Sequence, residues 1–218
     1  MLDKYLQPKP ALLFLFVMAG IQYPLYFKMV FWPESGFVAG GDFIVFWPAA
    51  RAFLDGNLIS LYVGDGMHDA MLKYYPKAAM EGLTWQYPPH ASLLFSPIGL
   101  LPFPIAYGIW SSLSIAAFIC ALNVAKVDRR VILILLLTSP IFLAFITGQI
   151  VLFVTSLMLL AIFWAKPRPV LAGLAAGLLT IKPQLGIFLP LVFIAGGHWR
   201  AFVSAAVFSL ALWLGSAA

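Results

Sequence analysis

From Val131 to Ala165 the chain runs for 35 residues without a charged side chain. Backbone N–H and C=O groups in so apolar a stretch must satisfy one another, and helices do so. The rest of the chain has the same character. Of 218 residues 63% are hydrophobic and 10% charged, with mean hydropathy +0.98, whereas soluble domains are about a quarter charged. These values define an all-helical integral membrane protein. The sole cysteine, Cys120, permits neither an internal disulfide nor a cysteine metal site.

Crossing the hydrocarbon takes roughly 17 to 25 apolar residues as a helix. Ala11 to Trp32 meets that length, and it lacks the small-residue cleavage site of a signal peptide, so it reads as a retained helix. Ile105 to Ala125 is a second span. The 131–165 run is interrupted near its middle by Thr147, Gly148 and Gln149, which predicts two short helices joined by an outer turn. Val170 to Ala195 repeats the pattern, broken by Lys182, Pro183 and Gln184. Ala201 to Ala218 completes a set of about seven membrane helices in a single membrane domain over residues 1–218. Half-length helices are tolerated where their ends meet a water-filled cavity.

Charge sets the expected sidedness, because short cytoplasmic loops collect lysine and arginine. Segments 1–10, 126–130, 166–169 and 196–200 hold eight Lys/Arg against two acids, and residues 33–90 hold three against six. The amino terminus is therefore expected inside, with 33–90 as the first non-cytoplasmic loop of an inner-membrane protein. The net charge of +5 follows from the inner loops. There is no basic stripe or recognition motif for nucleic acid.

A loop as long as 33–90 is usually functional. After Asp42, the residues Phe43, Phe46, Trp47, Ala50 and Leu54 share one helix face, which Asp55, Gly56 and Asn57 end. That aromatic face predicts a helix lying along the membrane surface, with Pro48 as a kink. A second helix is expected from about Met67 to Tyr75, stopped by Pro76. Pro97 breaks Ala91 to Leu101 before it can span, giving a juxtamembrane or re-entrant helix. Trp47, Trp85 and Trp110 read as interface anchors. Asp65 and Asp69, with His68 between them, fit a solvated loop better than a metal site, and the three histidines form no metal motif.

Four ordered blocks carry a resemblance to a known family. They are Gly41-Asp42-Phe43 with Ala49 to Phe53, Tyr87-Pro88-Pro89 with Pro97, Leu101 and Pro102, Gly148-Gln149, and Lys182-Pro183. Together they resemble glycosyltransferase family 87, polyprenyl-phosphate-mannose-dependent mannosyltransferases of the GT-C fold. The resemblance implies a polytopic enzyme that moves a sugar, with mannose expected, from a polyprenyl-phosphate donor to a lipid or glycan acceptor with inversion. It also implies a chain about twice as long, so this one is expected to be an amino-terminal portion. A further departure is His90, where such proteins usually carry an apolar residue.

By this resemblance Asp42 is the general base on the acceptor hydroxyl, although the same position suits a helix cap. Lys182 is the expected partner of the leaving phosphate, because an ionisable residue at the turn of two apolar helices is costly unless used; its other reading is a side chain snorkelling to the interface. Arg51 has a planar fork suited to phosphate, and an alternative place on an exposed amphipathic face. Tyr87, His90 and Gln149 are expected to position sugar hydroxyls, and the aromatic loop to receive the polyprenyl tail. Neither metal nor other cofactor is called for. A transporter or lipid flippase, and a non-catalytic scaffold subunit, are the alternatives from other classes.

Overall fold

The computed structural model describes residues 17, 20, 21, 24, 40–76 and 81–216. The expected first span, Ala11 to Trp32, therefore lies almost wholly outside the described residues, as do Lys28 and residues 33–39.

The described chain is helical throughout and contains no strand. Helix α1 spans Phe43–Leu54, α2 Gly66–Tyr74, α3 Pro89–Gly99 and α4 Phe103–Val124. They are followed by α5 Arg129–Leu136, α6 Ser139–Thr147, α7 Val151–Trp164 and α8 Pro169–Leu178. The series closes with α9 Pro183–Gly186, α10 Leu189–Ala195 and α11 Trp199–Gly215. Single 3₁₀ turns occupy Leu58–Tyr62 and Leu179–Ile181.

Both loop helices form where their sequence signals place them. α1 runs through Pro48 to its end at Asp55, and α2 stops before Pro76. The setting of α1 differs from the surface helix expected. Eight of its residues are buried, including Pro48 and Ala49, because α2, α3 and α4 all pack on it. An amphipathic stripe reports that one face is apolar, but not that neighbours will cover the others. The close approach of α3 requires Gly99, where an added Cβ would lie 3.0 Å from the Ala50 carbonyl carbon.

Of the expected spans, α4 is one helix of 22 residues, long and apolar enough to cross a membrane; at 1.5 Å per residue it is roughly 33 Å long. The 131–165 run resolves into three helices instead of two, because Pro140 opens α6 after a break at Leu137 and Thr138. α5 and α6 pass as one span only if counted together across a 58° bend. α7, α8 and α11 are shorter apolar helices, and the 170–195 run breaks at Lys182 as its sequence predicts.

α8 and α11 are held together by small residues. A Cβ on Gly173 would strike Ser204 Cβ and the backbone of Ala201 and Ala205, and one on Gly177 would lie 2.8 Å from Phe208 Cβ. The rising order of these contacts shows that the two helices run in the same direction. Gly173 and Gly177 are four residues apart, the spacing that lets apolar helices touch backbone to backbone. α7 packs between α4 and α8, joining this pair to the aromatic core.

Candidate functional site

The aromatic core fixes three loops in space. Trp47 donates its indole N–H to Leu101 O at 2.9 Å, Trp85 to Tyr62 Oη at 3.0 Å, and Trp110 to Gly148 O at 2.8 Å. All three are at most 8% exposed, so they are internal clamps and not the interface anchors expected. Burial without loss of the N–H partner is what makes an indole an effective clamp.

Gly148 ends α6 with φ +69°, a left-handed conformation that glycine adopts without Cβ strain. Absence of a side chain matters twice here, since a Cβ would lie 2.7 Å from Phe43 Cβ. The same turn grips the start of α1: Gly40 N–H donates to Ile146 O and Asp42 N–H to Thr147 O, each at 2.9 Å. Tyr107 Oη donates to Ile146 O at 2.8 Å from the other side. Asp42 and Gln149, distant in sequence, are thereby set side by side.

The second wall is the extended stretch before α3. Tyr62 Oη donates to Tyr87 O at 2.7 Å, and the Tyr87 ring packs on Phe46 with centroids 5.2 Å apart. Phe46 in turn stacks on Trp110 at 5.2 Å. The third wall is the turn after α8, where Lys182 takes an irregular backbone and places its ammonium 5.5 Å from the centre of the Tyr87 ring. A cation at that distance over an aromatic face is attracted to it.

These walls enclose a cleft of about 200 Å³ lined by Asp42, Thr84, Gln86, Tyr87, Gln149 and Lys182, with Val45, Phe46 and Ile150 beneath. It brings together four of the six residues singled out in the sequence. The Asp42 carboxylate makes no capping hydrogen bond to α1, so its oxygens are not committed to that role. Burial, and then the charge of Asp42, push the Tyr87 phenol up to about 12, so it remains a neutral donor at ordinary pH.

Arg51 and His90 do not line the cleft. Arg51 donates from Nη1 to Gly99 O at 3.1 Å and lies 5.7 Å from the Tyr74 ring, tying α1 to α3 and α2. His90 is 6% exposed near the start of α3 with its ring against the Thr180 backbone, and Ser92 Oγ nearby in sequence has no hydrogen-bond partner among the described residues. The sequence reading missed Thr84 and Gln86. Alternation was the available signal: in an extended segment Thr84 and Gln86 face one way and buried Trp85 the other.

Fold and site together define an apolar helical protein with one anion, one cation and several neutral donors gathered where helices start and break. A profile of glycosyltransferase family 87 matches residues 85–218, and the chain belongs to that family. It is 30% identical over 175 residues to a polyprenol-phosphate-mannose-dependent alpha-(1-2)-phosphatidylinositol pentamannoside mannosyltransferase of Mycolicibacterium smegmatis. That match covers 70% of this chain and 41% of the relative, so the chain spans well under half of the relative's length. No solved structure matches it.

Proposed function

We propose that the chain carries the catalytic cleft of a membrane glycosyltransferase moving mannose from a polyprenyl-phosphate donor to a lipid or glycan hydroxyl, with inversion. One observation carries this reading: Asp42, Tyr87, Gln149 and Lys182, from four separate stretches of chain, share one polar cleft in an otherwise apolar fold. Supporting it are membership of a glycosyltransferase family and the donor named for the mycobacterial relative.

In this mechanism the acceptor oxygen attacks the sugar's anomeric carbon from the face opposite the phosphate, and its proton passes to the Asp42 carboxylate. The bond from that carbon to the phosphate oxygen breaks, and its electron pair leaves with the lipid phosphate. Lys182 neutralises the charge that develops there. Gln149, Gln86 and Thr84 hold sugar hydroxyls. Tyr87 steadies the ammonium through its ring and offers its neutral O–H to the same site. Short helices α7 and α8 suit this role, since the start of one and the turn after the other border a polar cleft instead of lipid. The topology goes with it: seven membrane helices, amino terminus inside, and the cleft at the non-cytoplasmic face.

The test compares the full-length wild-type chain with Asp42→Asn in lipid, using polyprenyl-phosphate [¹⁴C]mannose. Removing a positioned base lowers the rate roughly 10²- to 10⁴-fold, while the isosteric amide leaves α1 intact because Asp42 makes no cap bond. Undiminished transfer by a well-folded variant would remove Asp42 from the mechanism.

A further inference from the structure

His90 is buried and lies outside the cleft, so the chemistry proposed above gives it no task. Burying an imidazole costs free energy unless its polar atoms meet partners. The ring lies against the backbone of Thr180, two residues before Lys182.

Local chemistry leaves that backbone open to a side chain. Thr180 sits in the 3₁₀ turn Leu179–Ile181, with Leu179 and Ile181 buried on either side of it. In such a turn each carbonyl takes the N–H three residues on, and Leu179 O does so, accepting from Lys182 N–H at 2.9 Å. For Thr180 the residue three on is Pro183, which has no N–H. The Thr180 hydroxyl is engaged elsewhere, donating to Gly177 O at 2.6 Å. Its carbonyl thus loses the 3₁₀ partner where the chain breaks, and an imidazole N–H is a donor able to replace it.

The start of α3 is stiff enough to serve as a clamp. Pro88 caps the helix with φ −63° and ψ 157°, and Pro89 is its first residue, which holds Tyr87 and His90 in a fixed relation. Tyr87 is itself anchored, its carbonyl accepting from Tyr62 Oη at 2.7 Å. From this one support two contacts reach the turn: the Tyr87 ring 5.5 Å from the Lys182 ammonium, and the His90 ring on Thr180. A lysine carries its charge on a flexible four-carbon stem, so fixing the backbone behind it narrows where that charge can sit.

We infer that His90 is a positioning residue for Lys182, its imidazole N–H donating to the Thr180 carbonyl and holding the turn so that the ammonium faces the departing phosphate. This rests on the reading of Lys182 above and adds what sets its place. Misplacing a catalytic group by about 1 Å costs on the order of 10²-fold. Because Lys182 acts on charge that develops in the transition state, the loss falls on kcat and not on KM.

The experiment compares His90→Gln, which keeps an N–H donor, with His90→Met, which has the same length and none. It uses the full-length protein in nanodiscs with polyprenyl-phosphate [¹⁴C]mannose. His90→Met should lower kcat roughly 10- to 100-fold with KM within about twofold of wild type, and His90→Gln should keep kcat within about threefold. His90→Phe, a planar ring without a donor, should match His90→Met and gives the same comparison where the Met variant is unstable. Lys182→Met completes a cycle: once Lys182 is gone, adding His90→Met should lower kcat little further, whereas a general loss of packing would lower it again. Multiplied losses in the double variant, or wild-type kcat in a folded Met or Phe variant, overturn the positioning role; a slow Lys182→Met then leaves the transferase reading standing. A wild-type rate in Lys182→Met removes Lys182 from the mechanism, and this inference with it.

Discussion

Gly148→Ala tests whether the turn after α6 is what assembles the cleft. The residue has φ +69°, and an L-residue there costs about 1–2 kcal/mol in backbone strain. The new Cβ would also lie 2.7 Å from Phe43 Cβ and 3.2 Å from the Tyr107 ring. Neither neighbour is the free end of a flexible side chain. Overpacking of this kind adds about 1–3 kcal/mol, so the total is about 2–5 kcal/mol. Gly56 supplies the internal control: its φ is +70° but nothing lies within 4 Å of its Cβ position. Gly56→Ala should therefore show the strain alone. For a chain of this size each kcal/mol moves the midpoint by about 2–4 °C. Thermal unfolding in detergent, followed by tryptophan fluorescence, should place Gly148→Ala below wild type by roughly 4–20 °C, and Gly56→Ala by about half as much or less. Transfer activity should fall in Gly148→Ala before unfolding begins, because Thr147 anchors Asp42 and the next residue but one is Gln149. Equal midpoints for the two variants would refute the steric part of this reasoning.

Two further outcomes follow from the same packing. Tyr87 titrates near 10 in an unfolded chain and at about 12 here, chiefly because burial disfavours the phenolate. The folded state therefore binds the extra proton between those values, and stability falls as pH rises through that window; Tyr87→Phe should flatten this alkaline limb while leaving unfolding near neutral pH little changed. Gly173→Leu should separate α8 from α11, since even a Cβ at that position collides with the α11 backbone. Loss of cross-linking between cysteines introduced on α8 and α11, with a midpoint lower by several degrees, would confirm it, and retained cross-linking would count against the close contact.

Much of the helical outline was legible from short-range signals. Asp55-Gly56-Asn57 ends α1, Pro76 follows α2, and Lys182-Pro183 breaks the 170–195 run, each through local backbone chemistry. The break at Leu137 and Thr138 was legible too, in Pro140, but the uninterrupted apolar character around it masked the signal. Gly173 and Gly177 carried a packing motif that was missed because small residues look neutral in a hydropathy pattern. Among the site residues, Lys182 stood out as an ionisable group at a costly turn between apolar helices, whereas Asp42, Tyr87 and Gln149 were marked by the blocks that carry the family resemblance. Thr84 and Gln86 did not stand out, because a loop position exacts no such cost.

By itself the sequence determined that the chain is helical and lipid-compatible, because 63% hydrophobic composition and long uncharged runs leave few other ways to satisfy the backbone. It also determined where most helices stop, since capping and proline effects act within a few residues. Tertiary structure alone decided which groups meet. Arg51 and Asp42 lie on or beside the same helix, yet one turns to Gly99 and the other to the cleft. Lys182 reaches Tyr87 only because α7 and α8 bring its turn back over the aromatic core. Contacts between residues far apart in sequence depend on how every intervening helix packs, and no local pattern encodes that sum.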